Sequence, residues 1–173
     1  VSDWHMPDYA EEFRKLYPDL LPRPMTAEEA LFTTKLGELG RMFSFMLKGP
    51  AYDAFDCIKA LEHVNVPYEI LNRTTAEGRL IYSRFKRINA EYQRLLADAK
   101  AVGDGTDGGS SDSNFLIFTY KGTQSLSGDL ANELLFLYPK RVIVVGREKS
   151  EYVMLSFRAR NVPVLPALHD PRP

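Results

Sequence analysis

The sequence predicts an α/β protein in which a helical N-terminal region precedes a small mixed-sheet α/β domain. Three observations carry that prediction. Apolar residues between positions 26 and 101 recur at helical spacings of three and four. The segment Gly103-Asp104-Gly105-Thr106-Asp107-Gly108-Gly109-Ser110-Ser111-Asp112-Ser113 then offers almost no side chain able to join a core. After it, short β-branched and aromatic runs flank one helical pattern. The predicted organisation is a helical region over 1–102 ending in a long connecting helix (about 76–101), a flexible linker over 103–114, and an α/β domain over 115–173.

The elements follow in order. A Pro- and Tyr-bearing stretch up to Pro24 is expected to be extended. Thr26-Ala27-Glu28-Glu29 forms a capping box, in which hydroxyl and carboxylate satisfy free amides at a helix start. Phe32, Leu36, Leu39, Phe43 and Met46 then make one apolar stripe. Gly37 and Gly40 inside it weaken the helix by roughly 1 kcal/mol each, a cost that close approach of a neighbour would offset. Gly49-Pro50 ends that helix, and a shorter one carries Tyr52, Phe55, Ile58 and Leu61 on one face. Thr74-Thr75-Ala76-Glu77 reads as a second capping box. It launches Ile81, Phe85, Ile88, Tyr92, Leu95 and Ala99, a rod of roughly 37 Å. Arg79, Arg84, Lys86, Arg87, Arg94 and Lys100 give it a basic polar face, either solvated or in contact with nucleic acid.

Beyond the linker, Phe115–Tyr120 is a continuous apolar run of strand length. Ser127 begins a helix whose Leu130, Ala131, Leu134, Leu135 and Tyr138 turn inward, and Pro139 stops it. Arg141–Arg147 is a second apolar strand, which predicts a right-handed crossover between parallel strands. A turn at Glu148–Glu151 leads to Tyr152–Arg158, a third strand expected antiparallel to the second.

The 173 residues suffice for one ordinary domain or two small ones. With 45% hydrophobic and 26% charged residues the chain reads as globular rather than disordered. A formal net charge of −1 gives no overall electrostatic case for nucleic acid. No apolar stretch approaches the ~18–20 residues of a membrane span. The start, Val1-Ser2-Asp3-Trp4-His5-Met6-Pro7-Asp8, lacks the basic and apolar regions of a signal peptide. The single cysteine, Cys57, cannot form an internal disulfide and is expected as a small buried side chain on a helix. These features point to an intracellular protein, cytoplasmic or in an organellar matrix, with no membrane partner.

Catalytic clusters are absent from the pattern. His5, His63 and His169 stand apart from one another and from Cys57, so no metal set is formed by spacing. No nucleophile elbow, P-loop or dinucleotide fingerprint occurs. The informative residues are polar and sit at strand ends and a helix start. Gly122-Thr123-Gln124-Ser125-Leu126-Ser127-Gly128 is either a capped strand-to-helix turn or a loop whose free amides meet an anion. Arg147 and Arg158 end adjacent strands, where they can converge on a phosphate or pair with Glu148 or Glu151.

Taken together, four motifs carry a family resemblance. They are a strand ending Tyr120-Lys121-Gly122, a helix with Ala131-Asn132-Glu133-Leu134, Val142–Val145 followed by Gly146-Arg147, and Leu155-Ser156-Phe157-Arg158. In this order they resemble the second domain (DHHA1) of the DHH-type phosphoesterases, which include single-strand exonucleases, oligoribonucleases and cyclic-dinucleotide phosphodiesterases. The resemblance covers about Phe115–Leu168. It implies that Arg147, Ser156 and Arg158 meet substrate phosphate or base, with Asn132 and Ser127 as further substrate-binding residues. It also implies that a complete member binds manganese or magnesium on a first, DHH domain rich in Asp and His. The motifs of that domain are not among these residues, and the family's glycine-glycine-histidine loop is not found after Leu168.

Two functions follow as expectations. The first is the part of a metal-dependent phosphodiesterase that binds an oligonucleotide or dinucleotide, with no catalytic or metal-ligating residue of its own. Its partner would be the DHH domain or other subunits. The second is a catalytically degenerate relative that serves as a scaffold subunit of a larger assembly.

Overall fold

A computed structural model of the chain describes residues 5–105 and 114–160. Trp4, most of the expected linker, His169 and the end of the Phe115–Leu168 resemblance lie outside the described residues. The fold is α/β: seven helices and one three-stranded mixed sheet are present among the described residues. The chain divides into two compact units. One holds positions 1–97 with 122–126, the other 98–121 with 127–173.

The helical unit opens with α1 (Ala10–Leu16), within the stretch expected to be extended. Glu11 and Glu12 in its first turn and Arg14 and Lys15 in its last suit the helix dipole, a charge order that extended chain does not need. Helix α2 (Ala27–Thr33) starts at the expected capping box: the Thr26 hydroxyl accepts from the Glu29 amide at 3.2 Å, and the Glu29 carboxylate accepts from the Thr26 amide at 3.0 Å. The single helix expected to continue to Met46 is broken at Thr34. Its backbone is extended, its hydroxyl donates to the Ala30 carbonyl at 2.5 Å, and it accepts from the Gly37 amide at 3.2 Å. Helix α3 (Lys35–Met46) therefore begins afresh, and the break resets its phase. Leu39, Met42, Phe45 and Met46 are its buried set, whereas Leu36 and Phe43 are half-buried.

Helix α4 (Ala51–Leu61) departs further from expectation. Cys57 and Ala60 are buried, while Tyr52, Phe55 and Ile58 are exposed. A common face on a helix says that residues point together, not that something covers them. Burial, aided by Asp53 and Asp56, pushes the Cys57 thiol up from its ordinary value. Helix α5 (Pro67–Leu71) has Pro at its first position, and the Glu69 carboxylate accepts from the Val66 amide at 3.2 Å.

Helix α6 (Ala76–Gly103) is the longest element, 28 residues or about 42 Å. Its cap is Thr75 rather than Thr74, since the Thr75 hydroxyl accepts from the Gly78 amide at 3.1 Å. The stripe Ile81, Phe85, Ile88, Tyr92, Leu95 and Ala99 is buried along its full length, as expected. Phe45 stacks on Phe85 at 6.0 Å between ring centres and meets the edge of Tyr92 at 5.2 Å. Arg84 leaves the expected basic face. It is only 7% exposed, ion-pairs with Asp53 and donates to the Lys48 carbonyl at 2.5 Å.

In the second unit, β1 (Phe115–Lys121) pairs parallel with β2 (Val142–Glu148), and β2 pairs antiparallel with β3 (Val153–Arg158). Helix α7 (Ser127–Leu137) connects the parallel pair and packs on β2 and β3. The parallel crossover and the antiparallel third strand match the expected topology. Leu116, Phe118, Tyr120, Ile143, Val145, Leu130, Ala131 and Leu134 form the core. The strands are not buried on both sides, however. Register places Ile117, Val144 and Phe157 in one row of the opposite face and Thr119, Gly146 and Leu155 in the next, and Ile117, Leu155 and Phe157 are exposed. The last carbonyls of α6 are met by Arg141, which donates to Gly103 at 2.6 Å, while the Tyr138 hydroxyl donates to Asp104 at 2.6 Å.

Two stability tests follow. A Cβ on Gly37 would lie 1.9 Å from the Leu31 carbonyl oxygen, whereas one on Gly40 would meet only the tip of Leu31 at 3.9 Å. Helix propensity favours alanine at both sites by about 1 kcal/mol. Gly40→Ala will therefore raise the unfolding free energy read from urea titration by up to that amount. Gly37→Ala will lower it by about 1–3 kcal/mol, because backbone must move to admit the methyl.

Tyr138 gives the second. Burial first, and then its bond to Asp104, push its hydroxyl from an ordinary value of 10 up to about 12. Between those values the unfolded chain has lost the proton that the folded chain keeps, so stability falls as pH rises from about 10 to about 12. Tyr138→Phe will make that fall shallower in urea titrations across the window. An unchanged slope would remove the Asp104 bond as a contributor.

Candidate functional site

Four of the five residues expected to bind substrate come together on the α7-covered face of the sheet. Strand residues alternate faces, so Ser156 and Arg158 of β3 point to the same side as Val145 and Ile143, their partners on β2. Helix α7 returns antiparallel to β1 and β2 and therefore runs in the direction of β3. Ser127 and Asn132 are five residues apart on that helix, a rise of about 7.5 Å. Ser156 and Arg158 are two apart on the strand, about 6.8 Å. The two spacings match closely enough for a rung at each level. The Ser156 hydroxyl donates to the Ser127 hydroxyl at 3.0 Å, and Arg158 Nε donates to Asn132 Oδ1 at 2.7 Å.

Local sequence explains each placement. Ser127 begins α7 after Leu126, which is fully buried and anchors the turn in the helical unit. Asn132 lies beside Ala131, whose small side chain is buried against the sheet. Arg158 is half-buried, and its Nη1 also donates to the Phe157 carbonyl at 2.7 Å. Those two bonds use two of its five guanidinium N–H groups. The row so formed carries two hydroxyls, one amide and one permanent positive charge. It can hold an anionic ligand by charge-assisted hydrogen bonds.

Arg147, the fifth residue, is on the same face of β2 but only 7% exposed, beside Tyr120 and Met154 in register. It stands four residues along β2 from Ile143, the partner of Arg158, so the two arginines are not brought together. Glu148, one of the suggested acids, pairs with Lys121 at 3.5 Å. The loop Gly122–Leu126 is drawn into the helical unit, where Lys48 Nζ donates to the Ser125 carbonyl at 2.9 Å. A cleft of about 400 Å³ in that unit, lined in part by Thr34, Lys35, Arg41, Asn89 and Gln93, holds none of the expected residues.

Sequence reasoning missed the Asp53–Arg84–Arg87 cluster, in which Arg87 also reaches Asp53 at 3.1 Å. A signal existed: Arg84 stands three residues after Ile81 and four before Ile88, on the side of the apolar stripe. Among the described residues no group of three or more His, Cys, Asp or Glu side chains is placed to hold a metal ion. The residues described here therefore do not fit a divalent-ion cage, and no chemical step is routed through one. Also among them, no helix is long and apolar enough to cross a membrane.

Comparison with known proteins yields no match to a family, to a curated protein or to a solved structure.

The Arg158–Asn132 rung is testable by stability. Asn132→Ala leaves a half-buried guanidinium N–H without its acceptor and will cost about 1 kcal/mol net of the helix gain. Ser156→Ala, which removes one neutral hydroxyl bond, will cost less. Equal urea midpoints for Asn132→Ala and the parent would show that the rung is not formed in solution.

Proposed function

We propose that the strand-containing unit holds a phosphodiester ligand, a short oligonucleotide or dinucleotide, as the substrate-binding part of a DHH-type phosphodiesterase. The observation that carries this reading is the Arg158–Asn132 bond beside the Ser156–Ser127 pair. It fixes one guanidinium at the open side of α7 while leaving further N–H groups of the fork for a phosphate. Ser156, half-buried beside Arg158, offers a hydroxyl to the same ligand, and the buried Ser127 holds that hydroxyl in place. Arg147, buried and at a different level of β2, is not part of this contact set. These residues bind and orient. The metal-dependent hydrolysis belongs, on this reading, to a lobe outside these 173 residues.

The test is binding of a fluorescent oligonucleotide of a few nucleotides, by anisotropy over a salt series. Arg158→Ala will weaken binding roughly ten-fold or more and make the salt dependence shallower by about one phosphate contact. Equal affinity for both proteins would falsify the assignment of Arg158.

A second reading, a scaffold subunit without substrate, is favoured by the outward Tyr52, Phe55 and Ile58 of α4, an apolar stripe of the kind that partners cover. The same titration separates the two. Absence of salt-sensitive binding by the parent protein leaves the scaffold, and binding that depends on Arg158 leaves the phosphodiester site.

A further inference from the structure

We propose that the open face of the sheet is a self-association surface, on which two copies of this chain pack face to face as a closed dimer. This rests on a different face from the phosphodiester site and is independent of that reading. Its residues are Ile117 of β1, Val144 of β2, and Val153, Leu155 and Phe157 of β3, brought onto one side by the register. Ile117 is 60% exposed, Phe157 59%, Leu155 53% and Val153 46%. None of the five carries a charge or a polar group. The notch expected at Gly146 is closed, since Val153, Thr119 and Leu155 all reach to within about 3 Å of where its Cβ would be. The rows of Ile117, Val144 and Phe157 and of Gly146 and Leu155 are therefore flat and apolar apart from Thr119, and the Lys121–Glu148 ion pair borders them at the row of Val153.

Chemistry and area select the occupant. The apolar rows offer nothing for a charged partner to recognise, whereas the oppositely charged Lys121 and Glu148 at their border can pair with the same two residues of a second copy. At these exposures, Phe157 alone presents on the order of 100 Å², and the five residues together roughly 400–500 Å². Two copies face to face would bury roughly 800–1,000 Å² in total, the size of a weak, concentration-dependent dimer. Sheets stack in this way about 10 Å apart with strands some 30° from alignment. A two-fold pairing covers both faces at once, so assembly stops at two.

The experiment is sedimentation or light scattering of the full chain up to ~100 µM, the range suited to a small interface. The parent will shift from one chain mass toward two with rising concentration. Phe157→Glu and Ile117→Thr will each hold it at one, with circular dichroism unchanged; threonine keeps strand preference, so the second variant stands if the first misfolds. Ile117 and Phe157 lie on opposite edge strands. Pairing through a strand edge would be lost in only one variant, and that result overturns the proposal. So does a parent that stays at one chain mass, a parent that grows beyond two, or a dimer lost in Phe55→Ser yet kept in both sheet variants.

Discussion

Apart from the end of α6, the strand-containing unit has one described helix to cover three strands, and a helix about 10 Å across screens only one face of such a sheet. Most of its remaining properties descend from that shortage. Period-two alternation sends Leu116, Phe118, Tyr120, Ile143 and Val145 to the covered side, where they meet Leu130, Ala131 and Leu134. The same alternation commits Ile117, Leu155 and Phe157 to the other side, whatever their hydrophobicity. The covered side also runs out of apolar residues toward β3. There the helix and the strand meet through Ser127, Ser156, Asn132 and Arg158 instead of through a dry core. A polar row and an apolar sheet face are two outcomes of one geometric limit.

The helical unit answers a different constraint. Its segments are short apart from α6, and burial depends on close approach. Gly37 sits against the Leu31 carbonyl, and Gly78 against the Glu69 carbonyl, at separations no side chain would permit. Where an ionic group is buried, it is paired. Arg84 is enclosed with Asp53 on one side and the Lys48 carbonyl on another, although its buried Nε has no hydrogen-bond partner among the described residues. Such a pair does more to fix which helices meet than to raise stability, because desolvation offsets much of the attraction.

How much of this could be read from sequence differs by element. The α6 stripe and the strand order were legible, because six apolar positions over almost five turns, and a strand–helix–strand–strand alternation, leave little freedom. The break at Thr34 was not, since two short helices and one long one share the same composition. There a side chain that both donates to Ala30 and accepts from Gly37 decides the matter. The shift from Thr74 to Thr75 was likewise decided in three dimensions, by the contact that requires a glycine at position 78. For α4 the pattern gave the correct face and the wrong environment, because periodicity carries no information on what lies opposite. In the candidate site, motif order brought out Ser127, Asn132, Ser156 and Arg158 as a set. The depth of Arg147 needed the register across three strands, which places it beside Tyr120.

Cys57 gives the helical unit a built-in clock. Alkylating reagents attack the thiolate, and burial beside Asp53 and Asp56 holds this group in its protonated, shielded form. Modification must then wait for the segment around α4 to open. The chain has one cysteine, so the rate of labelling counts openings of that segment and nothing else. Motions of the sheet pass unrecorded by the same reagent, which allows the breathing of the helical unit to be timed by itself in the intact molecule.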